Sequence, residues 1–253
     1  MLQEKKKKTL LKILYLLVRS AVVIVIIEQF RLQNYSSALL AAFTFLVFII
    51  PSFIERRMHV RIPDYIESML LISIFASVIL GEIGSFYILF PHWDNILHVL
   101  NGFMAGAIGY SLIDIANRKK GITEVISPAF TMLFIICFAI ALGDLWEFCE
   151  FMGDSFFGKD MQKDVYIDQI NSILLNPENV NVPVRISIDS VVVNGEKWPG
   201  YVDIGLIDTM KDMLLNISGA VVFAVYFIIR IKKKGKNEQQ KYLLHKDEKM
   251  KKS

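Results

Sequence analysis

The apolar residues of this chain are gathered into long, nearly unbroken runs, and that arrangement restricts its possible folds more than any other feature. A helix needs about 20 mostly apolar residues to cross the hydrocarbon core of a bilayer. Six stretches qualify on this reading: Leu10–Ile27, Ser37–Ile54, Tyr65–Phe90, Ile96–Ala116, Ile126–Phe151 and Ile207–Ile231. The third and fifth exceed the minimum and are expected to tilt or to project beyond the lipid. Of the 253 residues, 54% are hydrophobic, against roughly 45–50% in soluble domains even with Gly counted. A disordered or fibrous chain is excluded, and an ordinary soluble enzyme is disfavoured. The expected class is an all-α polytopic membrane protein with six transmembrane helices and a small extracytoplasmic loop containing β structure.

Charge sets the expected orientation, because Lys and Arg favour cytoplasmic loops. With the N-terminus inside, 21 of the 28 Lys and Arg residues fall on the inner side: in the first tail, in Glu55–Asp64, in Asn117–Glu124 and from Arg230 onward. The outer side holds Arg31, Lys159, Lys163, Arg185, Lys197 and Lys211, and Arg19 lies within the first helix. This predicts a basic cytoplasmic tail over 1–9, five spans within 10–151, an outer loop over 152–205, a sixth span over 206–231 and a second basic cytoplasmic tail over 232–253. The first span is expected to be an uncleaved anchor, since Arg19 interrupts it and no small-x-small site follows Ile27. The second tail reads as disordered or as resting on anionic lipid. A net charge of +3 is too mild to argue for nucleic acid. Cys137 and Cys149 are twelve residues apart on one helix, cannot pair with each other, and read as packing residues. In the outer loop, Val182–Ile188 alternates like a half-buried strand. Asn194-Gly195 after Val191–Val193 suits a tight hairpin turn.

Within the apolar runs, polar residues concentrate in three places. Asp94 and His98 lie four apart at the start of the fourth helix and share a face, continued by Asn101 and Gly102. Asp144, Glu147 and Glu150 follow one another at spacing three near the end of the fifth. Asp208, Asp212 and Asn216 form a stripe at the start of the sixth, with Gly219 beyond it. Simpler readings stand beside a functional one. Asp94 and Asp208 suit helix N-caps, and His98 suits a satisfied polar residue between helices. The acids of the fifth helix suit a solvated helix end. Asp212 could pair with Arg19, and less readily with Lys211, because adjacent helix positions diverge. The topology places all three stretches at one depth, in the outer leaflet, with Glu82 of the third helix at a similar level. The inner halves hold little that is polar beyond Glu67 and Asp114.

A cluster of carboxylates around one imidazole suits Mg²⁺, Mn²⁺ or Zn²⁺. A metal would neutralise the clustered charge and could activate a water or grip a phosphate oxygen. The expected ligands are drawn from Asp94, His98, Asp144, Glu147, Glu150, Asp208 and Asp212, supported by Asn216 and Glu82. The expected catalytic groups are His98, Glu147, Asp212, Asp94 and Asp208. The substrate would be a phospholipid or a lipid-linked envelope precursor. The same groups also suit a proton- or cation-coupled transporter, or a non-catalytic scaffold held by interhelical hydrogen bonds. No H-E-x-x-H, P-loop, G-x-S-x-G or G-x-G-x-x-G pattern is present.

The ordered set Asp94-x-x-x-His98, Glu147 with Glu150, and Asp208-x-x-x-Asp212-x-x-x-Asn216-x-x-Gly219 resembles the VanZ-like membrane proteins. In Trp93-Asp94, Trp146-Glu147 and Asp208-Thr209-Met210-Lys211-Asp212 it is more similar still to the YjdF-like family of bacterial inner-membrane proteins. The resemblance covers roughly residues 93–226 and implies a multi-pass protein of the bacterial cell envelope. For the VanZ-like proteins it also implies an association with glycopeptide tolerance. This chain has Asn95 where the VanZ-like pattern usually has Lys, and Glu150 where it has Gln.

Overall fold

A computed structural model describes residues 2–49, 53, 57, 64–120 and 127–251. The chain divides into two compact units, Met1–Leu142 with Leu215–Ser253, and Gly143–Leu214. Eight helical elements and six short strands make up the described structure. Five of the helices carry stretches long and apolar enough to cross a membrane: Thr9–Arg31, Ile66–Ile83, Trp93–Asp114, Pro128–Phe157 and Leu206–Ile231.

In the first unit, α1 (Leu2–Arg31) and α2 (Tyr35–Val47) form a helical hairpin. Gln33 turns the chain in the left-handed region at φ 58°, and the Asn34 side chain caps α2 by accepting from the Ser37 N–H at 3.2 Å. The apolar run Ser37–Ile54 predicts a span. Its described helix has only 13 residues, about 20 Å against the roughly 30 Å of a hydrocarbon core. Phe48 and Ile49 form a turn, and Ile50–Ser52 and Ile54 lie outside the described residues.

The third apolar run is also interrupted. α3 (Asp64–Ile74) passes into a π-helical segment, Phe75–Ile83. Gly84 and Ser85 then turn the chain, Ser85 at φ 59°, into the four-residue α4 (Phe86–Leu89). The wide i→i+5 coil leaves room for outside partners: the Trp93 indole N–H donates to the Ala76 carbonyl at 3.2 Å. Three long helices come next, α5 (Trp93–Lys120), α6 (Pro128–Phe157) and α7 (Leu206–Lys251). α7 continues as helix through the second basic tail, where composition predicts disorder. Of the basic loops expected on the inner side, Arg56, Arg61 and Gly121–Glu124 lie outside the described residues.

Two larger apolar cores, beside a small cluster of Ala105, Ala139 and Ala220, hold this unit. One joins Val18 and Val22 of α1 to Ala41, Phe48, Leu71 and Ile79. The other joins Ile66, Ala107 and Ile135 to Phe223, Ala224 and Phe227 of α7. Small residues let α5 and α7 touch, as membrane helices commonly do. Gly102 faces the Asn216 backbone, Gly219 faces the Val99 carbonyl, and Gly106 faces the Phe223 side chain. Their order shows that the two helices run parallel. Leu16, Leu17, Ile24 and Ile27 of α1 are each more than 60% exposed, a pattern expected where lipid, not water, is the neighbour.

The second unit contains the end of α6, the start of α7 and the β region. β1 (Val165–Ile167) pairs with β6 (Tyr201–Asp203), β2 (Gln169–Ser172) with β3 (Val184–Ser187), and β4 (Val191–Val193) with β5 (Glu196–Trp198), all antiparallel. The β4–β5 turn is Asn194-Gly195 at φ 52° and 90°, the positive-φ pair of a type I′ hairpin. Side chains fasten this region to both helices. Asp154 of α6 accepts the Met161 and Gln162 N–H groups at 2.6 and 2.9 Å. The Gln162 amide donates to Thr209 Oγ1 at 2.6 Å. Burial, together with the neighbouring carboxylates of Asp160, Asp154 and Asp203, pushes the Asp164 carboxyl above its ordinary value.

Candidate functional site

The first unit contains a paired imidazole and carboxylate. Asp94 lies in the first turn of α5 and is not the cap, because the helix already starts at Trp93. Its Oδ1 lies 3.5 Å from His98 Nε2, and the His98 side chain is 8% exposed. The i,i+4 spacing therefore produces the predicted contact. Trp93 is fixed from two sides, by its bond to Ala76 and by edge-on contact with Phe86 at 5.0 Å between centroids. One turn deeper there is a polar floor. The Ser73 hydroxyl donates to Asn101 Oδ1 at 2.5 Å, and the Asn216 amide donates to the Ala139 carbonyl at 2.8 Å. Asn216 is thus a structural support. Glu82, expected at a similar depth, lies in the π-helical segment and is exposed.

The second unit, taken by itself, contains buried acids. On α6 the three carboxylates do not act as one set. Glu147 and Glu150 are buried, whereas Asp144 is exposed. A spacing of three turns each successive residue about 60° around the helix, enough to leave Asp144 on the rim. α6 continues to Phe157, so Glu147 and Glu150 do not sit in its last turn and the macrodipole term there is weak. Glu150 Oε1 accepts from the Trp146 indole at 2.7 Å.

Asp208 and Asp212 differ in use. α7 starts at Leu206, and Asp203 Oδ2 accepts the Ile207 N–H at 2.8 Å, so Asp208 is not the cap. Its Oδ2 accepts the Lys163 N–H at 2.9 Å and its Oδ1 accepts from Lys211 Nζ at 3.1 Å. Asp208 therefore serves to fasten the β region. Asp212, only 1% exposed, lies 3.9 Å from Lys211 Nζ. The sequence argument against that neighbour fails because the lysine side chain is long enough to swing between positions 208 and 212. The Arg19 guanidinium sits over the Tyr15 ring, 4.9 Å from its centroid, and makes no ion pair among the described residues. The residues that sequence reasoning missed are Ser73, Asp154, Gln162 and Lys163. Ser73 is a lone hydroxyl in an apolar run. The others contribute backbone groups or loop contacts that leave no spacing signal.

Several apolar helices of spanning length, lipid-type surface exposure and acids kept at low exposure define a polytopic membrane protein. The chain belongs to the family described as predicted membrane protein (DUF2238), which it matches over residues 11–233. No curated protein and no solved structure matches it.

Proposed function

We propose that Asp94, His98 and Asp212 together hold a divalent cation, Mg²⁺, Mn²⁺ or Zn²⁺, and that this centre acts at the outer leaflet on a phospholipid or lipid-linked envelope precursor. The observation that carries the reading is register. In the first unit Gly102 of α5 stands opposite Asn216 of α7, and the helices run parallel. One turn back toward the helix starts leads from Gly102 to His98 and from Asn216 to Asp212, and α7 is one unbroken helix through both. An imidazole and two carboxylates are a common donor set for such ions. Bound cation would offset the buried negative charge and polarise a phosphate oxygen. Glu147 would serve as general base or further ligand, and Glu150 would be held by Trp146. Asp144 and Glu82, both exposed, are not part of this proposal.

The test is metal content of the purified chain by mass spectrometry. About one divalent cation per chain is expected. The His98→Ala/Asp212→Asn variant should retain less than a tenth as much, because losing even an outer partner of a metal site commonly costs 10–100-fold in affinity. Equal metal in the two proteins would remove the proposal. A purely structural role is favoured at Asp208, whose partners are a backbone N–H and a lysine.

The orientation proposed with this site puts both basic termini in the cytoplasm across six spans, on the distribution of Lys and Arg. Because Cys137 and Cys149 are exposed, labelling requires both to be replaced first. In that background, His92→Cys and Ile204→Cys, both at exposed positions, should react with an impermeant maleimide from outside intact cells, and cysteines in the two tails should not. Labelling of one tail from outside would establish an odd number of spans.

A further inference from the structure

We infer a second site on α1: an anionic phospholipid binds through its phosphate at the face formed by Lys12, Tyr15 and Arg19. This site is independent of the proposed cation centre. The first observation is placement. Arg19 lies ten residues beyond Thr9, where the apolar stretch of α1 begins, about 15 Å along the helix axis. A cation at that depth is costly and persists where something answers its charge. Arg19 is exposed, and its only charge-related contact among the described residues is the Tyr15 ring.

The second observation is direction. The guanidinium is drawn back over Tyr15, one turn toward the basic end of the helix. Helical side chains lean that way, and long cationic ones snorkel to the nearer head-group layer. Tyr15 is held by its hydroxyl, which donates to Glu67 Oε1 of α3 at 2.6 Å. The ring is thus a fixed platform and the guanidinium edge is left for a ligand.

The third observation is the company this face keeps. Positions 12, 15 and 19 are separated by three and four residues, so Lys12 shares the face with Tyr15 and Arg19. Lys12 is exposed. On either side of Arg19, one turn away, Leu16 and Val23 are also exposed, at 68% and 44%. Such a face is covered by lipid tails, and a cationic stripe running up from its end selects a lipid whose head group carries net negative charge. Arg fits phosphate oxygens in a bidentate fashion.

The test is native mass spectrometry of the full chain in detergent, titrated with phosphatidylglycerol or phosphatidylcholine. The wild type should bind one phosphatidylglycerol at least tenfold more tightly than phosphatidylcholine. Lys12→Gln/Arg19→Gln should lose that preference, Arg19→Lys should keep part of it, and Arg31→Gln should leave it intact, since Arg31 is paired with Glu28 at the other end of α1. Unfolding temperatures matched to wild type establish that the variants are folded. Undiminished preference in the folded double variant overturns the inference. So does loss of a dimer species in that variant with lipid preference unchanged, because the face would then dock a second copy.

Discussion

Gly219→Ala should destabilise the protein by about 3 kcal/mol, the upper range for inserting a methyl group into a packed core. Its unfolding temperature in detergent should fall by about 6–12 °C for a chain of this size. The reason is that a Cβ at this position would overlap the Val99 carbonyl oxygen and approach the Phe103 nitrogen to 2.8 Å. Both are backbone atoms of α5, so no side chain can rotate away. Gly102→Ala should behave alike, since its Cβ would overlap the Asn216 carbonyl oxygen. Ser218→Ala, an exposed neighbour, should change stability by less than about 0.5 kcal/mol. An unfolding temperature for Gly219→Ala within a degree of wild type would show that α5 and α7 do not meet so closely.

Asp208→Ala should release the β region from α7. Its carboxylate accepts the Lys163 N–H and the Lys211 ammonium, and hydrogen bonds to charged groups contribute about 1.5–3 kcal/mol each. Loss of the pair should cost about 3 kcal/mol and raise the open population roughly 100-fold. The readout is trypsin cleavage after Lys159 and Lys163. Asp208→Asn, which keeps an oxygen for the Lys163 N–H, should recover part of the protection, and Asp144→Ala should leave cleavage unchanged. Equal cleavage of wild type and Asp208→Ala would show that Asp208 does not fasten the loop.

Much of this fold is legible in the sequence because burial in lipid writes long apolar runs. The Asp94–His98 pair is legible because four residues make about one helical turn. Asn194-Gly195 is legible because few residue pairs accept two positive φ angles. The hidden features have equally physical causes. An apolar run records the solvent around a segment but not its hydrogen-bond ladder, so the π-helical segment and the turn at Gly84-Ser85 are invisible within Tyr65–Phe90. Ser37–Ile54 is apolar to its end, yet its described helix stops at Val47. β1, β2 and β6 are three or four residues long, too short for alternation to register. Asp208 looks like a site residue in the sequence because a carboxylate that accepts a backbone N–H has the same letter as one that binds a metal.

The π-helical segment has a mechanical consequence. A coil closed by i→i+5 bonds is wider and shorter than an α-helix of the same residue number. Tightening Phe75–Ile83 into α geometry would lengthen it and rotate the chain beyond Gly84, withdrawing the Ala76 carbonyl from Trp93, the residue beside Asp94. The stretch is thus a wound spring whose pitch governs where the mouth of the fourth apolar run begins.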